Sequence, residues 1–220
     1  YFLRVTAWFH KVYADGKYDV AAELWRSEHE HIDYAYQCAA KQGRGAVVTR
    51  YLYDCSYEIG KRGMESMLRR WHQSLEDVVP EGDLRRRGYA EIGDAYQLMG
   101  LAQDAIPLLQ KAWNAACAHR ERDLALQVAL TLGWALLSEG QREEALALVN
   151  QPEFTETVAA LGPTDERLAD VYELQGDIYA ELGQCARAVG FLGEALKRAQ
   201  DSILRDPWAA LHWLGTYGDS

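Results

Sequence analysis

The sequence of 220 residues predicts an all-α fold built from stacked helix pairs. Glycines recur in pairs that are offset by seven residues, and the first glycines of successive pairs are 40 and 43 residues apart; the pairs are Gly93 with Gly100, Gly133 with Gly140, and Gly176 with Gly183. Large apolar residues flank the first glycine at spacings of three and four, which is the pattern of one buried helix face. Because the motif recurs, we interpret the chain as an array of structural repeats.

Each repeat is predicted to be a helix, a tight turn and an antiparallel helix. The first glycine of a pair stands in mid-helix, where glycine costs about 1 kcal/mol relative to alanine. We therefore expect a neighbouring helix to approach closely there. The second glycine stands where a helix end favours a left-handed residue. A second amphipathic stretch follows, with Ala105, Ala145 or Ala188 at the expected crossing point. Three such regular repeats fill residues 83–206.

The repeat resembles the tetratricopeptide repeat (TPR), which has a glycine pair, an aromatic residue and an alanine at fixed spacing. The matching residues are Ile92-Gly93, Tyr96, Gly100 and Ala105 in the first repeat, and Gln175-Gly176, Tyr179, Gly183 and Ala188 in the third. The period of about 40 residues is longer than the usual ~34, and the proline that ends each family repeat is missing. The resemblance implies a TPR-like superhelix whose first helices line a concave groove.

The N-terminal part, residues 1–82, is predicted to hold degenerate helix pairs of the same stack. The predicted helices are Phe2–Ala14, Tyr18–Arg26, a helix from a capping box at Ser27–Glu30 to about Ala40, Val47–Tyr57, and Met64–Leu75. A turn is expected over Gly60–Gly63, and Pro80–Asp83 separates this part from the regular repeats. At the other end, Leu211 and Leu214-Gly215 match the start of a fourth repeat, so residues 207–220 are expected to begin a further repeat or to form a capping helix.

A second resemblance covers the N-terminal part. The run Leu24–His31, followed by a helix and Gly43, is similar to the opening of helical repeats in bacterial signal-transduction NTPases of the STAND type, with His31 in place of their usual asparagine. This resemblance implies an alternative function, namely the ligand- or partner-sensing C-terminal region of a modular signalling NTPase or transcriptional regulator. Because the chain begins at Tyr1 rather than Met, we expect a fragment of a longer protein or a processed chain.

The charge distribution excludes a general nucleic-acid binder. Lys plus Arg number 23 and Asp plus Glu 33, so the net charge is −10, whereas nucleic-acid binding needs a basic surface. Residues 1–88 carry 14 basic and 13 acidic side chains, which gives +1, and residues 89–220 carry 9 and 20, which gives −11.

No apolar run reaches the ~18 residues of a membrane span. The four isolated cysteines are expected to be reduced core thiols of a cytoplasmic protein: Cys38, Cys55, Cys117 and Cys185.

No catalytic, metal or cofactor motif stands out. P-loop, nucleophile-elbow and metalloprotease patterns are missing, and His29 and His31 point to different sides of a helix. We therefore expect no catalytic residue, no metal, no cofactor and no enzyme activity. A set of basic residues either meets an anionic partner or forms a solvated outer surface: Lys61, Arg62, Arg69, Arg70 and Arg85–Arg87.

The TPR resemblance implies which residues line the groove and bind a partner. Carried over by position, they are Asp94 and Gln97 in the first regular repeat, Gln127, Leu130, Trp134 and Leu137 in the second, and Asp170, Glu173, Asp177 and Glu181 in the third. The last four are spaced by 3, 4 and 4 residues, so they form one carboxylate stripe on a helix, opposite the side that carries the tyrosines. This stripe is either an ordinary solvated face or a site for a cationic segment.

The predicted function is that of a non-enzymatic interaction scaffold. The partner is a peptide or protein segment, whose apolar residue meets Leu130 and Trp134 and whose Lys or Arg meets the stripe. The carboxylate clamp of chaperone-binding family members needs Lys and Asn where this chain has Ala90 and Asp94 in the first regular repeat, so a chaperone-tail adaptor is not expected. Neither nucleic acid nor membrane is expected as a partner, and the oligomeric state is left open.

Overall fold

The computed structural model describes residues 2–14 and 17–205, and in this part of the chain every regular element is a helix. The eleven helices are α1 (Phe2–Ala14), α2 (Tyr18–Lys41), α3 (Gly45–Lys61), α4 (Glu65–Val78), α5 (Asp83–Leu98), α6 (Ala102–His119), α7 (Arg122–Ser138), α8 (Arg142–Val149), α9 (Pro152–Ala159), α10 (Arg167–Glu181) and α11 (Cys185–Arg205). The all-α class is thus confirmed. The predicted fourth repeat at residues 207–220 lies outside the described residues.

The chain forms two compact units, Tyr1–Leu124 and Ala125–Ser220. The first unit holds α1 to α6, with α3 packed on α5 and α5 packed on α6. In the second unit α10 packs along α11, and α8 contacts both α9 and α10. The division falls after the first regular repeat, near the start of α7.

Left-handed glycines end the first helices of the pairs, as predicted. Gly100, Gly140 and Gly183 have φ values of 72°, 71° and 70°, a conformation that costs glycine little because it has no Cβ. The amide of Leu101 then bonds back to the carbonyl of Tyr96 at 2.9 Å. Gly63 has φ 63° and joins α3 to α4 in the same way.

The mid-helix glycines lie where another helix approaches closely, which confirms the second prediction. A Cβ added at Gly93 would stand 2.6 Å from Leu109 of α6, and one at Gly176 would stand 2.6 Å from Leu192 of α11. At Gly60 the neighbour is backbone rather than a side chain, because an added Cβ would lie 2.8 Å from the backbone carbonyl oxygen of Ala95 on α5. Alanine at these positions therefore requires neighbouring atoms to move.

The capping box predicted at Ser27 is wrong, because α2 runs unbroken from Tyr18 to Lys41. The Ser27 hydroxyl donates to the carbonyl of Leu24, one turn back in the same helix, at 2.9 Å. Trp25 and Ile32, on either side of Ser27, are 2% and 1% exposed. One buried face thus continues through the position at which a new helix was expected.

The second regular repeat contains a third helix in addition to the predicted helix pair. Its second helix, α8, ends at Val149, and a further short helix, α9, starts with Pro152 in its first turn. Proline is favoured there because its missing amide would have no helical partner. Phe154 is 1% exposed and anchors α9. The extra helix accounts for the longer spacing of 43 residues from Gly133 to Gly176.

Buried aromatic rings form the core between α2, α3 and α4. Tyr36 stacks on Trp71 with ring centroids 3.9 Å apart, and Tyr51 meets both rings edge-on. The Tyr36 hydroxyl donates to the backbone carbonyl of Trp71 at 2.7 Å, and the Trp71 indole N–H donates to Asp33 at 2.7 Å. Both polar atoms are therefore satisfied inside the core.

Polar contacts join α1, α3 and α5. The Thr6 hydroxyl of α1 donates to Asp54 of α3 at 2.8 Å, and Ser56 of α3 donates to Glu91 of α5 at 2.8 Å. Burial, with the charge of Asp94 as the next contribution, raises the pKa of Glu91 to about 8. Glu91 is therefore mostly protonated at neutral pH in the folded chain.

Substitution of Gly60 tests the close approach of α3 and α5. We expect Gly60→Ala to lower the free energy of unfolding by about 2 kcal/mol, because the new methyl group meets backbone that cannot rotate away. The matched control is Gly190→Ala in α11, where an added Cβ meets nothing within 4 Å and helix propensity should gain about 1 kcal/mol. Urea denaturation measures both changes. Equal stability of Gly60→Ala and the parent would contradict the close approach.

Substitution of Glu91 tests the raised pKa. Because the folded pKa of about 8 lies above the ordinary 4.5, the folded state binds the extra proton between these values, and stability falls as pH rises through this range. Glu91→Gln keeps the acceptor for Ser56 and cannot ionise. We expect it to match the parent at pH values near 4 and to be more stable by roughly 2–4 kcal/mol near pH 9. The exposed control Glu143→Gln should leave the pH profile of stability unchanged.

Candidate functional site

The second unit brings α7 and α10 together at the predicted partner site. Gly133 of α7 leaves room for Leu174 of α10, whose side chain would lie 2.6 Å from an added Cβ. Trp134, the next residue, acts on the Asp177 carboxylate as a hydrogen-bond donor, which works against the rise in the pKa of Asp177. Two residues predicted from different repeats, Trp134 and Asp177, therefore lie close together.

The two sides of α10 have different roles. Tyr172 and Tyr179 stack on Phe191 of α11, with ring centroids 6.2 and 5.3 Å apart. The carboxylates predicted as a stripe lie on the other side of the helix. We call the surface formed by this stripe and the neighbouring α7 side chains the acidic face; its residues are Trp134, Leu137, Asp170, Glu173, Asp177 and Glu181.

The carboxylates of the acidic face are poorly neutralised. Burial raises the pKa of Glu173 to about 7, with added effects from the charges of Asp177 and Asp170. Burial, helped by the charge of Glu166, raises the pKa of Asp170 to about 6. Among the described residues, none hydrogen-bonds to Oε2 of Glu173, and this atom is enclosed. The face thus holds negative charge at a cost in free energy.

Hydrogen bonding and ion pairing relieve only part of that cost. Burial also raises the pKa of Asp177, while the Trp134 hydrogen bond acts in the opposite direction. Glu181, at the end of the stripe, pairs with Arg142 of α8 at 3.0 Å, and both side chains are about half exposed. Such exposed pairs contribute little stability. Within the part of the chain that the structure describes, no Lys or Arg forms an ion pair with Asp170 or Glu173 at the centre of the stripe.

The other predicted groove residues are placed differently. Leu130 is only 7% exposed, so it packs inside the second unit and leaves Trp134 and Leu137 as the half-buried apolar residues of the acidic face. Gln127 is exposed. Asp94 and Gln97 lie on α5 in the first unit, where both are half-buried.

The basic residues of the N-terminal half are largely paired with acids. Arg69 bonds Glu65 and Asp104, each at 2.7 Å. The remaining contacts are Arg62 with Glu58 and Arg70 with Asp33, both at 2.7 Å, and Arg85 with Glu81 at 2.6 Å. These cations stabilise contacts between and within helices, so they do not combine into one free basic patch.

A buried ion pair that sequence reasoning missed lies at the start of α5. The Arg86 side chain is 8% exposed and bonds Glu121, in the turn between α6 and α7, at 2.6 Å. It lines a cavity of about 730 Å³ together with that turn. The equivalent positions of the other repeats, seven residues before the mid-helix glycine, are Leu126 and Ala169. A charged residue at a position that is otherwise apolar was the signal that could have revealed it.

The cysteines and histidines form no site in the part of the chain that the structure describes. Cys55 is buried and Cys38 and Cys117 are half-buried, but Cys185 is exposed, so the prediction of core thiols is wrong for Cys185. Within residues 2–14 and 17–205, no group of three or more His, Cys, Asp or Glu side chains is arranged to hold a metal ion.

Two further findings concern the whole described chain. None of its described helices combines the length and the apolar character needed to cross a membrane. No family model matches the sequence, and neither the curated proteins nor the solved structures contain a match to it.

Substitution of Arg86 tests the buried ion pair. We expect Arg86→Ala to lower the free energy of unfolding by about 3 kcal/mol, because it leaves the Glu121 carboxylate without its buried partner. The control Arg87→Ala removes a neighbouring cation that is 63% exposed and 3.9 Å from Glu121, and should change stability by less than about 0.5 kcal/mol. Thermal and urea denaturation distinguish the two. A similar loss of stability in both variants would show that removal of one positive charge, and not loss of the buried contact with Glu121, lowers the free energy of unfolding.

Proposed function

We propose that this protein is a non-enzymatic interaction scaffold that binds a partner protein segment on its acidic face. The segment carries a Lys or Arg side chain and, close to it, an apolar side chain. The observation that carries the proposal is the close approach of α10 to α7 at Gly133 and Leu174, which sets the Trp134 ring beside a row of under-neutralised carboxylates. The TPR resemblance supports it, because first helices of successive repeats, here α7 and α10, line the binding groove in that family.

The cation of the partner supplies the positive charge that would neutralise the acidic face. An ammonium or guanidinium group near Asp170 and Glu173 offsets the repulsion between the two carboxylates and hydrogen-bonds to their oxygens. Such bonds are strongest where the carboxylate is partly removed from water, as burial of Glu173 and Asp170 indicates. A cation that binds there also lowers the pKa of both groups, so binding releases protons near neutral pH.

The apolar residue of the partner meets Trp134 and Leu137. The Trp134 ring is half-buried, so part of its side-chain freedom is already lost before a partner packs on it. The same ring face attracts a cation, which favours a basic residue next to the apolar one. We place this interaction in the cytoplasm, because four cysteines without a disulfide suit a reducing compartment.

Charge reversal on the acidic face tests the proposed function. The probe is a panel of fluorescein-labelled peptides, each with one Leu and one Lys or Arg at a defined spacing, and the readout is fluorescence anisotropy. We expect Glu173→Lys combined with Asp177→Lys to weaken the best peptide at least about tenfold at low salt, and to flatten the salt dependence of its affinity. The matched control, Glu153→Lys with Glu156→Lys on α9, makes the same change in net charge on exposed residues and should retain the affinity.

The pH dependence of binding provides a second arm of this experiment. Since the free chain has a pKa of about 7 at Glu173 and about 6 at Asp170, affinity should rise as pH increases from below 6 to above 7 and then level off. Affinity that is unchanged by the double reversal, or equal to that of the α9 control, would refute the proposed site.

A further inference from the structure

The cavity beside Arg86 is formed by residues of the first unit alone. It measures about 730 Å³ and is lined by the start of α5, the turn from α6 into α7 and the start of α7. This volume is typical of small-molecule sites. Four of its nine lining residues are arginines, although the whole chain carries a net charge of −10. The cavity therefore concentrates positive charge in an acidic protein.

Three of the four arginines are accessible to a ligand. Arg87 is 63% exposed, and its guanidinium group lies 3.9 Å from Glu121, which is too far for a hydrogen bond. Arg120 and Arg122 are exposed, and neither has a hydrogen bond or an ion pair with the described residues. Guanidinium groups present paired N–H donors that match the oxygens of a phosphate group. The cavity thus offers donors for such a group.

The backbone at Arg120 indicates a role for its side chain. Arg120 has a φ of 57°, and it is the one non-glycine residue with a positive φ in the part of the chain that the structure describes. The turns at Gly100, Gly140 and Gly183 use glycine for the same conformation, because a Cβ is unfavourable there. Non-glycine residues in this conformation are concentrated at functional sites. An arginine here is therefore favoured where its guanidinium group binds a ligand.

Arg122 also stands at a position that is unfavourable for a cation. It is the first residue of α7, and its charge adds to the partial positive charge at the N-terminus of that 17-residue helix. An anion bound in the cavity offsets both charges, and it can accept hydrogen bonds from first-turn amides that have no helical partner. A bound phosphate group therefore stabilises the arrangement of Arg120 and Arg122.

The acidic residues of the cavity restrict what else the ligand carries. Within the described residues, Oε2 of Glu121 is enclosed and accepts no hydrogen bond, and Nε of Arg86 is enclosed and donates none. Asp83 and Asp123 line the same cavity. These three carboxylates repel a ligand that consists of anionic groups alone, whereas hydroxyl groups donate hydrogen bonds to them. The lining is therefore suited to one phosphate group joined to hydroxyl groups.

We propose that this cavity binds a sugar phosphate, either free or as the ribose phosphate of a nucleotide. The phosphate group is bound by Arg120 and Arg122, and the sugar hydroxyl groups donate to the carboxylates of Asp83 and Glu121. The ion pair between Arg86 and Glu121 holds the turn from α6 to α7 against α5, so the site is largely in place before the ligand arrives. The site shares no residue with the acidic face.

Isothermal titration calorimetry of the full chain with ribose 5-phosphate, glucose 6-phosphate and adenosine 5′-monophosphate tests the site. We expect saturable binding of at least one of them, at least about tenfold tighter than that of inorganic phosphate or of ribose. In Arg120→Gly combined with Arg122→Gln, this affinity should fall at least about tenfold. Because glycine suits the left-handed conformation of Arg120, this variant should unfold in urea no earlier than the parent, which separates loss of binding from loss of the fold.

The matched control is Lys41→Gln combined with Arg44→Gln, which makes the same change in net charge on exposed residues at the junction of α2 and α3 and should retain the affinity of the parent. Any of four outcomes overturns the proposal. Saturable binding of none of the three compounds shows that the cavity takes no sugar phosphate, and affinity equal to that of inorganic phosphate shows that the hydroxyl groups are not recognised. Unchanged affinity in the cavity variant places the ligand elsewhere, and an equal loss in the control shows that net charge alone attracts it.

Discussion

The close approach of neighbouring helices at glycine is the constraint on which the described structure depends. Gly60 against the backbone of Ala95, and Gly93, Gly133 and Gly176 against leucine side chains, each remove a Cβ at a point of contact. The cost of glycine inside a helix is offset there by packing that a larger residue prevents. At the acidic face the same device brings two helices together, because room at Gly133 accommodates Leu174 of α10 next to Trp134 and close to Asp177.

Charge is used differently along the chain. In the first unit, basic side chains pair with acids between helices, as Arg69 does with Asp104 and Arg86 with Glu121. The excess of −11 in residues 89–220 includes three carboxylates of α10 whose pKa values rise, since burial and mutual repulsion both disfavour their charged forms. Acidic side chains are thus paired with bases in the first unit, whereas three carboxylates of α10 keep raised pKa values in the second.

Much of the local structure followed from sequence spacing, and the errors have identifiable causes. The turns at Gly100, Gly140 and Gly183 and the stripe on α10 could be predicted, because periodicity in one helix needs only that helix. The helix start predicted at Ser27 was wrong because a capping pattern covers only a few residues. The buried helix face that includes Trp25 and Ile32 continues through Ser27 and keeps α2 unbroken. The extra helix α9 depended on where α8 ends, and sequence places helix boundaries least reliably.

The sequence by itself determined the helical class, the repeat period, the sites of close approach and the residues that share one side of α10, since each of these follows from residue type and spacing along a single chain. Only the tertiary structure decided that Leu130 is buried, that Trp134 lies close to Asp177, that Arg86 is paired with Glu121, and that burial raises the pKa of Glu173 to about 7. These properties depend on which atoms of distant residues enclose a side chain, and burial sets both its exposure and its pKa.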